Sequence, residues 1–353
     1  MNNAPWIIAD RPINIGLVGC GRIADNHLQA IIEHHDNLRL TAICEPNVDI
    51  LNTVCDKYGA ELYDNIDDLL RHSNTDLIIL CTPSGLHAAQ TIKVAQSGRH
   101  VLTEKPMATR WQDAVNMVRA CDAHRVRLFV IKQNRLNATM QLLKQAIDRG
   151  RFGKIYMANV NVFWTRLQEY YDQARWRGTW EFDGGAFMNQ ASHYVDLMHW
   201  LLGPIESVQA IMATLARNIQ SEDSGVLNIR WRSGALGSMN VTMLTYPQNF
   251  EGSITILGER GTVRIGGVAV NEIQHWEFAD LAAEDEQITA ASYQTNSVYG
   301  FGHSIYYANL IKSLQGLAHP LVDGHEGLSS FEVLIAAYRA ARDKKTVHLP
   351  LEL

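Results

Sequence analysis

At 353 residues the chain is too long for one compact core and comfortable for two. A formal charge of -6, from 31 Lys and Arg against 37 Asp and Glu, argues against a general nucleic-acid binder. It leaves room for an anionic small substrate, because a local basic pocket can exist on an acidic protein. Residues 1–12 lack a basic n-region and a long apolar stretch, and no apolar run reaches the ~18 residues of a membrane span. A cytoplasmic location without a membrane partner is therefore expected. Five cysteines, Cys20, Cys44, Cys55, Cys81 and Cys121, show no CxxC spacing and read as reduced thiols.

The first third alternates strand-like and helix-like segments. Ile13–Val18 reads as a short apolar strand, Arg22–His34 as a helix, Leu38–Cys44 as a strand and Val48–Lys57 as a helix. Asp76–Thr82 is apolar on both faces, as the centre of a parallel sheet requires. Leu86–Ser97 is a helix closed by Gly98, followed by a strand at His100–Thr103, a helix at Trp111–Ala123 and a strand at Arg127–Ile131. This grammar predicts an N-terminal Rossmann dinucleotide-binding domain over residues 1–133.

Beyond Gln133 the pattern changes. A helix at Asn137–Arg149 gives way to strands at Ile155–Trp164, Ile205–Leu215, Gly225–Trp231, Ala235–Leu244, Ser253–Leu257 and Thr262–Ile265. Arg232-Ser233-Gly234 signals a hairpin turn. One helix over Phe187–Leu202 interrupts the strands, and helices at Ser304–Leu314 and Gly327–Arg342 close the chain. Residues 134–353 are thus expected to form an α+β domain around a large, mostly antiparallel, open-faced sheet. A partner subunit is a plausible cover for its open face, so a homodimer or homotetramer is expected.

Gly19-Cys20-Gly21-Arg22-Ile23-Ala24 is G-x-G-x-x-A between a strand and a helix. Gly19 permits the tight turn, Gly21 lets the backbone approach a pyrophosphate, and the helix start offers N–H groups, Arg22 and Ile23 among them. Glu45 ends the second strand, 24 residues after Gly21, where a carboxylate can accept from the adenosine ribose and repel a 2′-phosphate. NAD is therefore favoured over NADP. Thr82, Pro83 and Ser84 leave the 76–82 strand at its carboxyl end, where open α/β sheets bind ligands, with His87 just beyond. Ser84 is also a natural helix cap.

Two further motifs carry chemistry. Thr103-Glu104-Lys105-Pro106 ends the next strand on the same sheet edge as the glycine turn; on spacing alone Lys105 reads as a surface lysine. Asp183-Gly184-Gly185 precedes Asn189, His193 and Asp196, which at i, i+4 and i+7 share one face of a helix. Taken singly, His193 reads as a satisfied histidine at a helix–sheet contact. Together, these motifs resemble the Gfo/Idh/MocA oxidoreductase family, from the glycine turn to Gly302-His303 and the closing helices.

The resemblance implies a catalytic role for Lys105 and for His193, and cofactor contacts from Glu104, Lys105 and Gln133. The family's usual Asp four residues before the histidine is Asn189 here. That loses a carboxylate for any proton relay but keeps a hydrogen-bonding group for substrate. The run Asn189–Asp196 with Trp200-Leu201-Leu202-Gly203-Pro204 is most similar to the family's NAD-dependent 3-dehydrogenases of UDP-N-acetylglucosaminuronic acid. These imply oxidation of the sugar C3 hydroxyl in O-antigen lipopolysaccharide synthesis, with 2-oxoglutarate as a candidate oxidant for NADH. An imidazole titrating near ~6.5 suits a general base, and a lysine cation suits a developing alkoxide.

A UDP-uronate needs basic partners. Arg135, Arg166, Arg175 and Arg177, with Tyr170, Tyr171, Trp176 and Trp180, supply candidates, with Arg166 and Gln133 before the rest. His303 and Tyr306 match the family's late helix start. Zinc is not expected, since no His/Cys cluster has ligand spacing. Two alternatives stand beside the nucleotide-sugar reading: a free-polyol dehydrogenase, and a non-catalytic NAD-dependent sensor, against which the retained Lys105 and His193 speak.

Overall fold

The computed structural model describes residues 7–295 and 302–352, without the side chains of residues 52 and 54–56. Cys55 therefore lies outside what is described, as do residues 1–6 of the amino-terminal stretch; Cys20, Cys44, Cys81 and Cys121 are free thiols. The chain divides into two compact units. One runs to Ile131 and includes His303–Ser329; the other comprises Lys132–Gly302 and the chain from Ser330 onward.

The first unit alternates strand and helix: β1 (Ile13–Val18), α1 (Ala24–Glu33), β2 (Leu38–Cys44), α2 (Val48–Tyr58), β3 (Glu61–Tyr63), α3 (Ile66–His72), β4 (Leu77–Leu80), α4 (His87–Gln96), β5 (His100–Thr103), α5 (Trp111–Ala123) and β6 (Leu128–Val130). The strands form one sheet in the order β3-β2-β1-β4-β5-β6, and every pairing is parallel. Leu77–Leu80 and His100–Thr103 are buried at every position, the consequence of a sheet covered on both faces. The order reverses direction between β1 and β4, and that switch point opens a crevice at the carboxyl ends of the strands.

The second unit carries α6 (Ala138–Asp148), β7 (Ile155–Phe163), α7 (Gln168–Asp172), α8 (Ser192–Leu202), β8 (Ile205–Ala213), β9 (Ser224–Trp231), β10 (Leu236–Thr242), β11 (Glu251–Gly258), β12 (Gly261–Gly266), β13 (Glu272–Phe278) and α9 (Ile288–Ala291). Further along come α10 (Gly302–Leu314), α11 (Gly324–Asp343) and β14 (Val347–His348). Eight strands make a sheet ordered β13-β12-β11-β7-β10-β9-β8-β14. All pairs are antiparallel except β7 with β10.

Alternation sets its two faces. Ala158, Val160 and Val162 of β7 and Leu227, Ile229 and Trp231 of β9 point to the core. The opposite face has a polar ladder: Asn159 donates to Ser238, Asn240 to Asn161, and Asn161 to Glu251. Met157 of β7, Ile211 of β8, Val226 of β9 and Leu236 of β10 are exposed.

The single helix expected over Phe187–Leu202 is instead two pieces. Ala186–Gln190 forms one π-turn, Ala191 breaks the spiral, and α8 begins at Ser192. The cause is local: Glu222 accepts at its carboxylate from the Phe187 N–H (2.9 Å) and at its carbonyl from the Ala186 N–H (2.9 Å), so the first turn is anchored sideways.

Candidate active site

In the first unit the nucleotide residues gather at the strand ends. The Gly19 N–H donates to the Cys44 carbonyl (2.8 Å), which folds the turn against β2. Gly19 has φ +91°, and a Cβ there would stand 3.0 Å from the Cys81 carbonyl, so only glycine fits. A Cβ on Gly21 would meet nothing within 4 Å, which leaves open space over the turn. The N–H groups of Gly21, Arg22 and Ile23 meet no acceptor among the described residues. An anion at the start of α1 would supply one. Glu45 completes the cradle. Its Oε2 accepts from the Cys20 N–H (2.8 Å) and its Oε1 from the Asn47 N–H (3.0 Å), which holds the carboxylate at the turn. Open space, waiting N–H donors and a fixed acid make this turn fit a dinucleotide.

Thr82, Pro83 and Ser84 follow β4 at the same edge, and Ser84 opens a short 3-10 turn. His87 is buried beneath them, with its ring nitrogens 2.9 Å from the carbonyls of Thr82 and Pro106. It braces the loop after β4 against the Glu104-Lys105-Pro106 turn. Glu104 is buried too. Desolvation would raise its pKa, but His27 and His303 hold it well below the usual carboxylate range. His27, Glu104 and His303 form the one buried cluster among the described residues with metal-ligating atoms in mutual reach. No sequence spacing signals it, because α1, the turn after β5 and α10 bring the three together across the chain.

The second unit holds Gln133, Arg166, Asn189 and His193. Gln133 is fully buried and its Nε2 lies 3.3 Å from His193 Nε2. An amide N–H donates, so this His193 nitrogen is the one with the lone pair. Asp196, one turn further along α8, is paired bidentately with Arg135 (both 2.7 Å) and lies 3.7 Å from Lys132. Burial opposes its charge, and Lys132 and Arg135 overcome that to hold its carboxyl far below the ordinary range. Arg135, a candidate substrate cation by sequence, is thus committed to α8.

Asn189 lies in the π-turn ahead of α8 and not on the helix that carries His193 and Asp196. Its amide donates to Asp183, which also accepts from the Gly178 N–H (2.6 Å) and is buried. A carboxylate at position 189 would face that of Asp183, so the amide is the group this environment accepts. Arg166 donates to the Thr165 carbonyl (2.7 Å) and lies 5.5 Å from the rings of Trp164 and Tyr170. Arg177 stacks on Tyr170 at 4.3 Å. Tyr306, in the first unit, is turned inward, donating to the Val130 carbonyl (3.0 Å). Glu222 escaped sequence reasoning altogether. Burial pushes its carboxyl up to about 7 against the opposing Phe187 N–H and Tyr338 hydroxyl.

An all-parallel nucleotide sheet with its glycine turn, joined in one chain to a mostly antiparallel sheet domain, is the architecture of a dinucleotide-dependent oxidoreductase. The chain belongs to the Gfo/Idh/MocA oxidoreductase family. The family's "NAD-binding Rossmann fold" description matches residues 13–132, and its "C-terminal alpha/beta domain" description matches residues 144–349.

Among solved structures, the chain is 61% identical to the WlbA dehydrogenase from Bordetella pertussis, crystallised with NADH and UDP-GlcNAcA, at a TM-score of 0.96 over 98% of this chain and 100% of that one. It is 59% identical to WlbA from Chromobacterium violaceum, also with NADH and UDP-GlcNAcA, at 0.95 over 98% and 99%. Myo-inositol 2-dehydrogenase of Thermotoga maritima is 24% identical over 96% of this chain and 98% of its own length.

Proposed function

We propose that this protein is an NAD-dependent dehydrogenase that oxidises the C3 hydroxyl of UDP-N-acetyl-D-glucosaminuronic acid to a ketone. The observation that carries this reading is the 61% identity, along 98% of the chain, to a dehydrogenase that holds this sugar nucleotide and NADH. Free-polyol oxidation is not favoured, since the inositol dehydrogenase is far more distant at 24% identity.

When bound, NAD supplies the two-electron hydride acceptor. The N–H groups of residues 21–23 and the loop Thr82-Pro83-Ser84 receive it, and Glu45 selects against a 2′-phosphate. Lys105, as a cation, stabilises the oxyanion that develops at C3. His193 serves as the general base that accepts the hydroxyl proton. Asn189, oriented by Asp183, hydrogen-bonds the sugar, and Arg166 takes an anionic group of the substrate. A cytoplasmic location, service to surface-polysaccharide assembly and a homo-oligomer that uses the open sheet face belong to the same reading. Among the described residues, no helix is long and apolar enough to cross a membrane.

The test is NAD reduction across a panel of UDP-sugars, myo-inositol and glucose, with and without 2-oxoglutarate. UDP-N-acetylglucosaminuronate is expected to turn over at least about a hundredfold more efficiently than inositol. Comparable rates with inositol would replace this reading with the polyol one, and binding of NAD without turnover of any of them would favour the sensor.

A further inference from the structure

The buried cluster beneath Lys105 has a directed order. The Tyr307 hydroxyl lies 2.7 Å from His27 Nδ1, and His27 Nε2 lies 3.0 Å from Glu104 Oε1. The second carboxylate oxygen of Glu104 accepts from the Lys105 main-chain N–H at 3.1 Å. His27 is fully buried, and that burial lowers its proton affinity, so the ring is neutral. A neutral imidazole beside an ionised carboxylate carries its one proton on Nε2, which leaves Nδ1 to accept from Tyr307. Every hydrogen in the chain then runs one way: Tyr307 to His27 to Glu104, with the Lys105 amide closing on the other oxygen. The separations are those of hydrogen bonds, and this order satisfies both ring nitrogens without an ion.

Resting on the reading that Lys105 is catalytic, we propose that His27 is a positioning residue for it: through Glu104, His27 fixes the main chain from which Lys105 projects. His27 sits in the first turn of α1, the helix that opens at the nucleotide turn, so the same helix start serves the cofactor and the lysine. Glu104 also faces His303 at 3.6 Å, and Cys81 and His87 lie within its electrostatic reach.

His27→Leu removes the donor, and with it the strongest support for a buried charge at Glu104. The carboxyl pKa rises, and below its new value the group takes a proton, which weakens the charge-assisted bond from the Lys105 amide. In this variant kcat is expected to fall roughly tenfold to a hundredfold, with NAD binding within about twofold of wild type. A new limb should appear in the pH profile, with kcat falling further as pH drops. His27→Gln, whose amide can reach the Nε2 position, should hold kcat within a few-fold. Glu104→Gln in the His27→Leu background should erase the acid limb and leave the activity at one level across pH, because the group that titrates is gone.

Unchanged kcat in a folded, NAD-binding His27→Leu variant would overturn the proposal. So would a loss without an acid limb and without rescue by His27→Gln, which is what a merely structural role gives. Loss of activity on chelator dialysis with recovery on adding zinc would make the cluster a metal site and overturn it as well. Lys105→Met is the control on the underlying reading: full activity there removes the lysine's role and this proposal with it. An inactive wild type with UDP-N-acetylglucosaminuronate but active with another sugar discards only the substrate, and the same variants are then compared on that sugar.

Discussion

The two units build their candidate residues by different means. In the first, main-chain geometry dominates: a glycine at positive φ, three N–H groups at a helix start, and residues at the ends of parallel strands. In the second, side chains position side chains. Gln133 meets His193, Asp183 holds Asn189, and Asp196 binds Arg135 beside Lys132. A main-chain cradle needs a few residues close in sequence, whereas a side-chain network needs partners that only the folded chain brings together. The first kind is robust to most substitutions, and the second fails when one partner is lost.

The largest effect expected is on chemistry, and it tests whether both units serve the reaction. Lys105→Met and His193→Asn should each lower kcat by roughly 10²–10⁴-fold while NAD binding, read by fluorescence, persists. Near-wild-type turnover in His193→Asn would confine catalysis to the first unit and break the comparison.

Next in size is the network in the second unit. Asp196→Asn leaves Lys132 and Arg135 as buried cations without their carboxylate and should cost about 3–5 kcal/mol, visible in denaturant unfolding. Because the Asp196 pKa is depressed, its contribution is present above the ordinary carboxylate range and lost as pH falls. A change below about 1 kcal/mol would make the pair no better than a surface one.

Glu45→Gln probes the main-chain cradle. The amide oxygen still accepts from the Cys20 N–H, while the charge and the bond from the Asn47 N–H go. The preference for NAD over NADP, measured as a ratio of kcat/KM, should narrow by about tenfold or more. An unchanged ratio would remove Glu45 as the selector.

The smallest effect is the pH signature of Glu222. Its folded pKa, about 7, lies above the ordinary value, so its stabilising contribution is full at acid pH and declines as pH rises through that value. Glu222→Gln should raise Tm relative to wild type at pH 8 and leave it nearly unchanged below the ordinary carboxylate pKa, at about pH 4. A shift equal at both pH values would contradict the raised pKa.

What was legible in the sequence follows the same division. Alternating apolar runs and punctuating glycines predict five of the six strands of the nucleotide sheet, all but the three-residue β3, which is too short to show a pattern, and Arg232-Ser233-Gly234 marks the β9–β10 hairpin. The period of Phe187–Leu202 suggests a single helix, since nothing within that run reveals that Glu222, from the loop before β9, will take the Phe187 N–H and bend the first turn. The parallel contact of β7 with β10 is likewise hidden, because strand direction in a mixed sheet is decided by the chain between the strands. Glu104, Lys105 and His193 stand out only when their motifs are taken together and compared with a family. His27, Asp183 and Glu222 carry no local signal of their roles, since each acts through a partner on another element or loop.

One isotope experiment bears most directly on the central claim. UDP-N-acetylglucosaminuronate carrying deuterium at C3 is incubated with the enzyme and NAD, and the sugar and nucleotide are analysed by mass spectrometry and NMR. The account predicts deuterium on the reduced nicotinamide and a ketone at C3, with a primary isotope effect if hydride transfer limits the rate. Deuterium retained in the oxidised sugar, or a ketone at any other carbon, would contradict it.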